Sequence, residues 1–138
     1  MTNEIKNLIN EFEVEGDFTH MPYDPVTISK AEEMLGYKFD SMYIAFLKEF
    51  GHGGIGGIEI MGLGKNNVLI SANETMDYRK YGLPKNFLVI ENCDEWVYCI
   101  DSKDGKIISW SKSKVVPAFD NFNEYLLDRF MDAAENLV

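Results

Sequence analysis

Histidine and cysteine are scarce in this 138-residue chain, two of each, and proline occurs four times. Two cysteines cannot build a disulfide framework. Cys93 and Cys99 are six residues apart, and together with His20 and His52 they lack the short ligand spacings usual for structural zinc. No apolar run approaches the roughly 20 residues needed to span a bilayer. The longest candidates, Phe87 to Ile90 and Trp96 to Ile100, are strand-sized. Residues 1–10 lack the basic start and apolar core of a signal peptide. A reduced, cytoplasmic protein without a membrane role is the expectation. Basic residues are also short, with 13 Lys and Arg against 23 Asp and Glu, for a formal charge of -10. Such a field repels nucleic-acid phosphates and anionic lipid and attracts basic partners; the plainer reading of the same charge is solubility.

The acidity is unevenly placed. Residues 1–33 carry a net charge of -6, residues 34–116 are neutral, and residues 117–138 carry -4. Hydrophobic residues make up 46% of the chain and recur from Ile5 to Leu137. That supports one domain over residues 1–138, because a chain of this size removes about two-thirds of its unfolded surface from water. No repeat, linker or low-complexity segment interrupts it.

Periodicity sorts the chain into two regimes. Ile5, Leu8, Ile9 and Phe12 recur at three- and four-residue steps and predict a helix over about residues 2–13. A loop follows to Pro25, able to lie over the core through Phe18, Met21 and Tyr23. Ser29 with Glu32 fits a capping box for a short helix ending at Leu35–Gly36, where glycine suits a left-handed cap. Asp40 or Ser41 caps another helix, Met42 to Phe50, stopped by Gly51. From there the period falls to two. Ile58–Met61, Val68–Ser71, Phe87–Glu91, Trp96–Asp101 and Lys106–Trp110 have strand length and composition, and Asp104–Gly105 signals a tight turn. A short helix is expected within Asn73–Tyr81, and a last one from Asp120 or Asn121 through Phe122, Tyr125, Leu126, Phe130 and Met131. The expected fold is α+β: a mostly antiparallel twisted sheet of about five to six strands, with N- and C-terminal helices packed against it.

Chemistry-bearing constellations are few. The cluster Gly51-His52-Gly53-Gly54-Ile55-Gly56-Gly57 follows a helix and lacks the Lys-Ser pair, so it is no P-loop. It reads as a tight reversal, a contact surface, or an anion nest. His52 has only Glu49 as a weak sequence neighbour to orient it, and His20 sits in a loop. Glu91, Asp94, Glu95 and Asp101 gather near Trp96 and Tyr98. Three readings of this group stand: an acid/base pair, the rim of a binding face anchored by aromatics, or solvated turn residues. No catalytic or metal site is assigned, and a binding role is expected over an enzymatic one.

These residues fall into an order that resembles the SUKH superfamily, which includes the fungal Smi/Knr-type cell-wall regulators and many bacterial immunity proteins. It runs from Ile28, Ala31-Glu32 and Leu35-Gly36 through Phe39-Asp40-Ser41-Met42-Tyr43, Phe46-Leu47 and Phe50-Gly51. It continues with Gly53-Gly54, Gly57, Ile60 and Gly62, then Glu74-Thr75, Tyr78-Arg79 and Gly82-Leu83-Pro84. Val89-Ile90, Tyr98-Cys99-Ile100-Asp101, Val116, Phe122 and Tyr125-Leu126 complete it, so the motif-bearing region spans about residues 26–127. The likeness is strongest to bacillus-type immunity members. It implies an α+β fold without catalytic residues, metal or cofactor, with Glu32, Gly36, Tyr43, Phe46, Leu47, Gly51, Gly53, Gly54, Gly57 and Pro84 as structural positions. It also implies a role neutralising a secreted toxin, often a nuclease with a basic active face, or else regulation of a non-toxin partner. Glu91, Asp94, Glu95, Trp96, Tyr98 and Asp101 are the candidate contacts, and the acidic terminal helices (Glu11, Glu13, Asp128 and Asp132) form a competing face. Nothing in the sequence calls for a homo-oligomer.

Overall fold

Helices occupy the first half of the chain and a sheet most of the second. In the computed structural model, which describes residues 1–137, the helices are α1 (Asn3–Phe12), α2 (Pro25–Leu35), α3 (Ser41–Glu49), α4 (Ile70–Arg79) and α5 (Phe122–Glu135). The strands are β1 (Phe87–Asn92), β2 (Val97–Asp101), β3 (Ile107–Ser111) and β4 (Lys114–Phe119), and a 3₁₀ turn covers Lys65–Asn67. They form one antiparallel meander in the spatial order β1-β2-β3-β4.

The class is the α+β expected, with four strands instead of five to six. Two of the expected strands dissolve. Ile58–Met61 contributes only a bridge between Ile60 and Gly53, and in Val68–Ser71 Leu69 bridges Leu63 before α4 begins at Ile70. The glycines explain this. A Cβ at Gly53 would overlap the Asp17 carbonyl and one at Gly54 the Ile58 carbonyl, so the backbone folds tightly on itself where a ladder would need extension. The reversal reading of the glycine cluster therefore accounts for Gly53 and Gly54. The loop also covers part of the outer edge of β1, where the Met61 N–H donates to the Ile90 carbonyl at 2.7 Å.

One strand had no forecast. Between β3 and β4 the chain turns on Lys112 and Ser113, both at positive φ (45° and 70°), the pattern of a two-residue hairpin turn that usually carries Asn-Gly. Pro117 within β4 is tolerated because β4 is the sheet edge.

Helix ends follow local chemistry. Asp24 caps α2, accepting from the Val26 N–H at 3.1 Å and the Thr27 hydroxyl at 2.7 Å, with Pro25 in the first turn. The Ser29–Glu32 capping box is thus a correction: both residues lie inside α2. Glu32 instead accepts the Phe39 N–H at 2.7 Å and closes the α2–α3 turn behind Gly36, which is left-handed at φ 92°. Asp40, not Ser41, caps α3 through the N–H groups of Met42 and Tyr43.

The sheet is covered on both faces, which explains the unbroken apolar run of β1. Leu88, Ile90, Ile100 and Ile107 join the main core with Ile5, Ile9, Phe46, Leu47, Phe122 and Phe130 from α1, α3 and α5. Phe87, Val89, Val97, Cys99, Ile108 and Trp110 form a second core under Ile70 and Tyr78 of the α4 segment. Buried polar groups pin the layers. The Tyr43 hydroxyl donates to the Met61 carbonyl at 2.6 Å and accepts from Ser71 at 2.7 Å, and burial pushes its pKa up. Thr75 donates to the Ser71 carbonyl and accepts the Val89 N–H at 2.9 Å, tying α4 to β1.

Candidate protein-binding cleft

At one end of the sheet, the β1–β2 turn and the β3–β4 turn stand beside the C-terminal part of α4. Between them opens a cleft of about 690 Å³ lined by Tyr78, Asp94, Glu95, Trp96, Val97, Trp110, Ser111 and Lys112. Antiparallel register makes it: Val97 pairs with Trp110 and Ser111 with Lys114, so both turns project past the same end of the strands. The Tyr78 and Trp110 rings meet edge to face with centroids 6.1 Å apart. Asp94 is left-handed at φ 67°, and its N–H donates to the Asn92 side chain at 2.8 Å, which holds the turn.

The structure divides the six candidate contacts. Asp94, Glu95 and Trp96 line this cleft, with Trp96 38% exposed. Trp96 also touches Tyr98 edge-on, and Tyr98 lies against α5, packed on Tyr125 and beneath the Arg129 guanidinium at 5.5 Å. Asp101 is at the far end of β2, accepting from the Asn86 amide at 2.9 Å and the Lys103 N–H at 3.0 Å, a turn-building role.

Glu91 leaves the contact set altogether, because it is 3% exposed. A bulge between Val89 and Glu91 pairs Glu91 with Tyr98 and turns its side chain to the α5 face. There it accepts from the Tyr125 hydroxyl at 2.6 Å, from Arg129 Nε at 2.9 Å and from Arg129 Nη2 at 2.6 Å. The hydrogen bond and charge of Glu91 hold the Arg129 pKa above its ordinary value. Simple alternation puts Glu91 on the face of Val89, and the inserted residue is what moves it.

The cleft includes five residues outside the expected set, Tyr78, Val97, Trp110, Ser111 and Lys112. Trp110 was readable in principle, since any hairpin through Asp104–Gly105 brings it opposite the start of β2. Tyr78 required knowing that α4 crosses the second face.

The acidic termini meet in space, since α1 packs on α5. Glu124, Asp128, Asp132 and Glu135 are exposed on α5, the first three at four-residue steps on one side of the helix. Glu11 is exposed on α1, whereas Glu13 pairs with His20 at 2.6 Å.

His52 serves the glycine loop. Its Nδ1 accepts the Gly62 N–H at 3.0 Å, leaving Nε2 to face Glu59 Oε1 at 3.5 Å. Burial lowers its pKa below the ordinary 6.5, opposed by Glu59. The thiols are quiet: burial, then Glu91, pushes Cys93 up to about 12, and burial raises Cys99 in the second core. Among the described residues no group of three or more His, Cys, Asp or Glu is placed to hold a metal ion. No described helix is long and apolar enough to cross a membrane.

A helix-covered antiparallel meander with an open cleft at one end of the sheet defines the class of this protein, a small α+β domain. The chain belongs to the SUKH_5 family, described as SMI1-KNR4 cell-wall, whose family model matches residues 5–131. A crystal structure of a protein from Pseudomonas syringae pv. tomato shares the fold with a TM-score of 0.66 and 18% sequence identity, over 83% of this chain and 89% of that one.

Proposed function

We propose that this protein is a bacterial immunity protein, a cytoplasmic and non-enzymatic binder that neutralises a cognate secreted toxin of nuclease type by covering its basic active face. The observation that carries the reading is the cleft, where aromatic walls meet an acidic rim on a chain of charge -10. Aromatic anchors in recessed positions dominate binding energy, and complementary charge supplies speed and register. A nuclease cleft shaped for phosphate is basic, so an acidic partner is drawn to it and competes with the nucleic acid. Membership of the SMI1-KNR4 family supports the same direction. The roles of His52 and Glu91, each engaged in holding the fold, fit a binder better than a hydrolase.

Co-expression with a candidate secreted toxin encoded by a neighbouring gene tests the proposal. Growth should be restored and a stable complex recovered at micromolar concentration. Neither rescue nor complex would overturn it for that toxin.

A further inference from the structure

The geometry points to the Tyr78–Trp110 cleft as the seat of an arginine side chain carried on a basic segment of the partner protein. This deepens the proposed function and rests on it for the identity of the partner, though not for the chemistry of the seat.

Three observations converge there. The first is shape: about 690 Å³ lies within the range of roughly 300–1,000 Å³ that holds whole small ligands, enough for one long side chain and its neighbours. The second is the wall. Tyr78, half-buried, and Trp96, 38% exposed, present aromatic surface, with Trp110 buried edge to face against Tyr78, and a planar, weakly hydrated guanidinium stacks on such surface better than a compact ammonium does. The third is charge. Among the described residues, neither Asp94 nor Glu95 is in an ion pair, whereas Glu91 a few residues away is fully engaged by Arg129. Burial first, then the nearby carboxylates of Glu74 and Asp94, pushes the Tyr78 hydroxyl pKa up. Lys112 is the one cation on the lining.

A guanidinium lodged in the cleft would meet the accessible faces of Tyr78 and Trp96 and two carboxylates able to accept paired N–H bonds. A polyanion would meet the same carboxylates as repulsion. The acidic stripe on α5 offers charge without such a recess, which suits it to attracting a basic partner and the cleft to holding it.

The test is titration of the isotope-labelled protein with a short Arg-Gly repeat peptide and with its Lys-Gly counterpart, followed by amide shifts. The arginine peptide should move Tyr78, Asp94, Val97, Trp110 and Lys112 and bind several-fold tighter than the lysine peptide. Asp94→Asn with Glu95→Gln should weaken the arginine peptide about tenfold. Asn keeps the left-handed preference at position 94, so the turn is retained. Equal affinity for both peptides, or shifts confined to the α5 stripe, would overturn the inference. The same double variant in the growth-rescue assay separates the two claims. Full protection by a variant that has lost peptide binding sinks the cleft and leaves immunity standing. Absence of protection by the unmodified protein sinks the toxin assignment, while the peptide titration still decides the cleft.

Discussion

Arg129→Met isolates the buried ion pair that ties β1 to α5. Glu91 is 3% exposed and accepts three hydrogen bonds, two of them from Arg129. Removing the guanidinium leaves a buried carboxylate with only the Tyr125 hydroxyl. Breaking a buried pair by deleting one partner costs about 3–5 kcal/mol, and the Arg129 side chain, 18% exposed, sets this case near the lower end. A loss of about 3 kcal/mol is a large share of the roughly 5–15 kcal/mol that holds a typical protein folded. With a urea dependence of about 2 kcal/mol per molar, the midpoint should fall by about 1.5 M. Glu91→Met alone should also destabilise, because Arg129 then loses its anchor between sheet and helix. The double variant Glu91→Met with Arg129→Met removes both charges, so its cost should fall below the sum of the singles by about 2 kcal/mol or more. Urea unfolding followed by tryptophan fluorescence and far-UV dichroism gives all four corners of the cycle. A single-variant cost under about 1 kcal/mol, or strictly additive singles, would refute the reasoning.

Phe46 is wholly buried between α3 and α5, and Phe46→Ala should cost about 3–5 kcal/mol by chemical denaturation; less than about 1 kcal/mol would contradict its place in the core. His52 sets an acid limit. Its folded pKa lies below 6.5, so the unfolded chain binds the proton more readily, and the contribution of His52 is complete above about pH 6.5 and lost as pH falls through the depressed value. His52→Gln should flatten the acid-side decline of the urea midpoint, and an unchanged slope would remove His52 from the account. The pair of His20 and Glu13 has the opposite sign, stabilising below about pH 6.5 and fading as pH rises through the raised His20 value. Lys112→Asn with Ser113→Gly should raise the melting temperature by about 3–5 °C by relieving two left-handed residues, and a lower value would contradict the turn geometry.

Helices were the most legible part of the sequence. The stripe of Ile5, Ile9 and Phe12, the glycine stop at Gly36 and the apolar face from Phe122 to Phe130 each state a period of 3.6 over several turns. The error at α2 came from preferring Ser29–Glu32 over Asp24–Pro25, though an acid followed by proline is an equally good start signal. The sheet was legible only where turns announce themselves. Gly105 marks the β2–β3 connection with φ 77°, but the β3–β4 turn carries Lys-Ser, which no propensity favours there, and Pro117 disguises β4. Ile58–Met61 has strand composition without a strand, because its neighbours Gly53 and Gly54 pull the backbone into single bridges.

The candidate site was half legible. Asp94, Glu95 and Trp96 were found because polar and aromatic residues at a turn are exposed by default. Glu91 was misassigned because one bulged residue reverses the side a strand residue faces, and nothing local to Glu91 signals the insertion. Trp110 follows from the Asp104–Gly105 hairpin register, whereas Tyr78 does not, because the cleft joins α4 to a strand pair more than ten residues downstream, a juxtaposition that periodicity does not encode.

The association rate of this protein with its cognate toxin, measured against ionic strength for the unmodified chain and for Asp94→Lys with Glu95→Lys, tests the central claim most directly. The charge reversal should slow association by about tenfold or more at low salt and flatten the salt dependence, since steering charge has been replaced by repulsion at the cleft. Identical rates and identical salt dependence would place the contact surface elsewhere on the molecule and contradict the account.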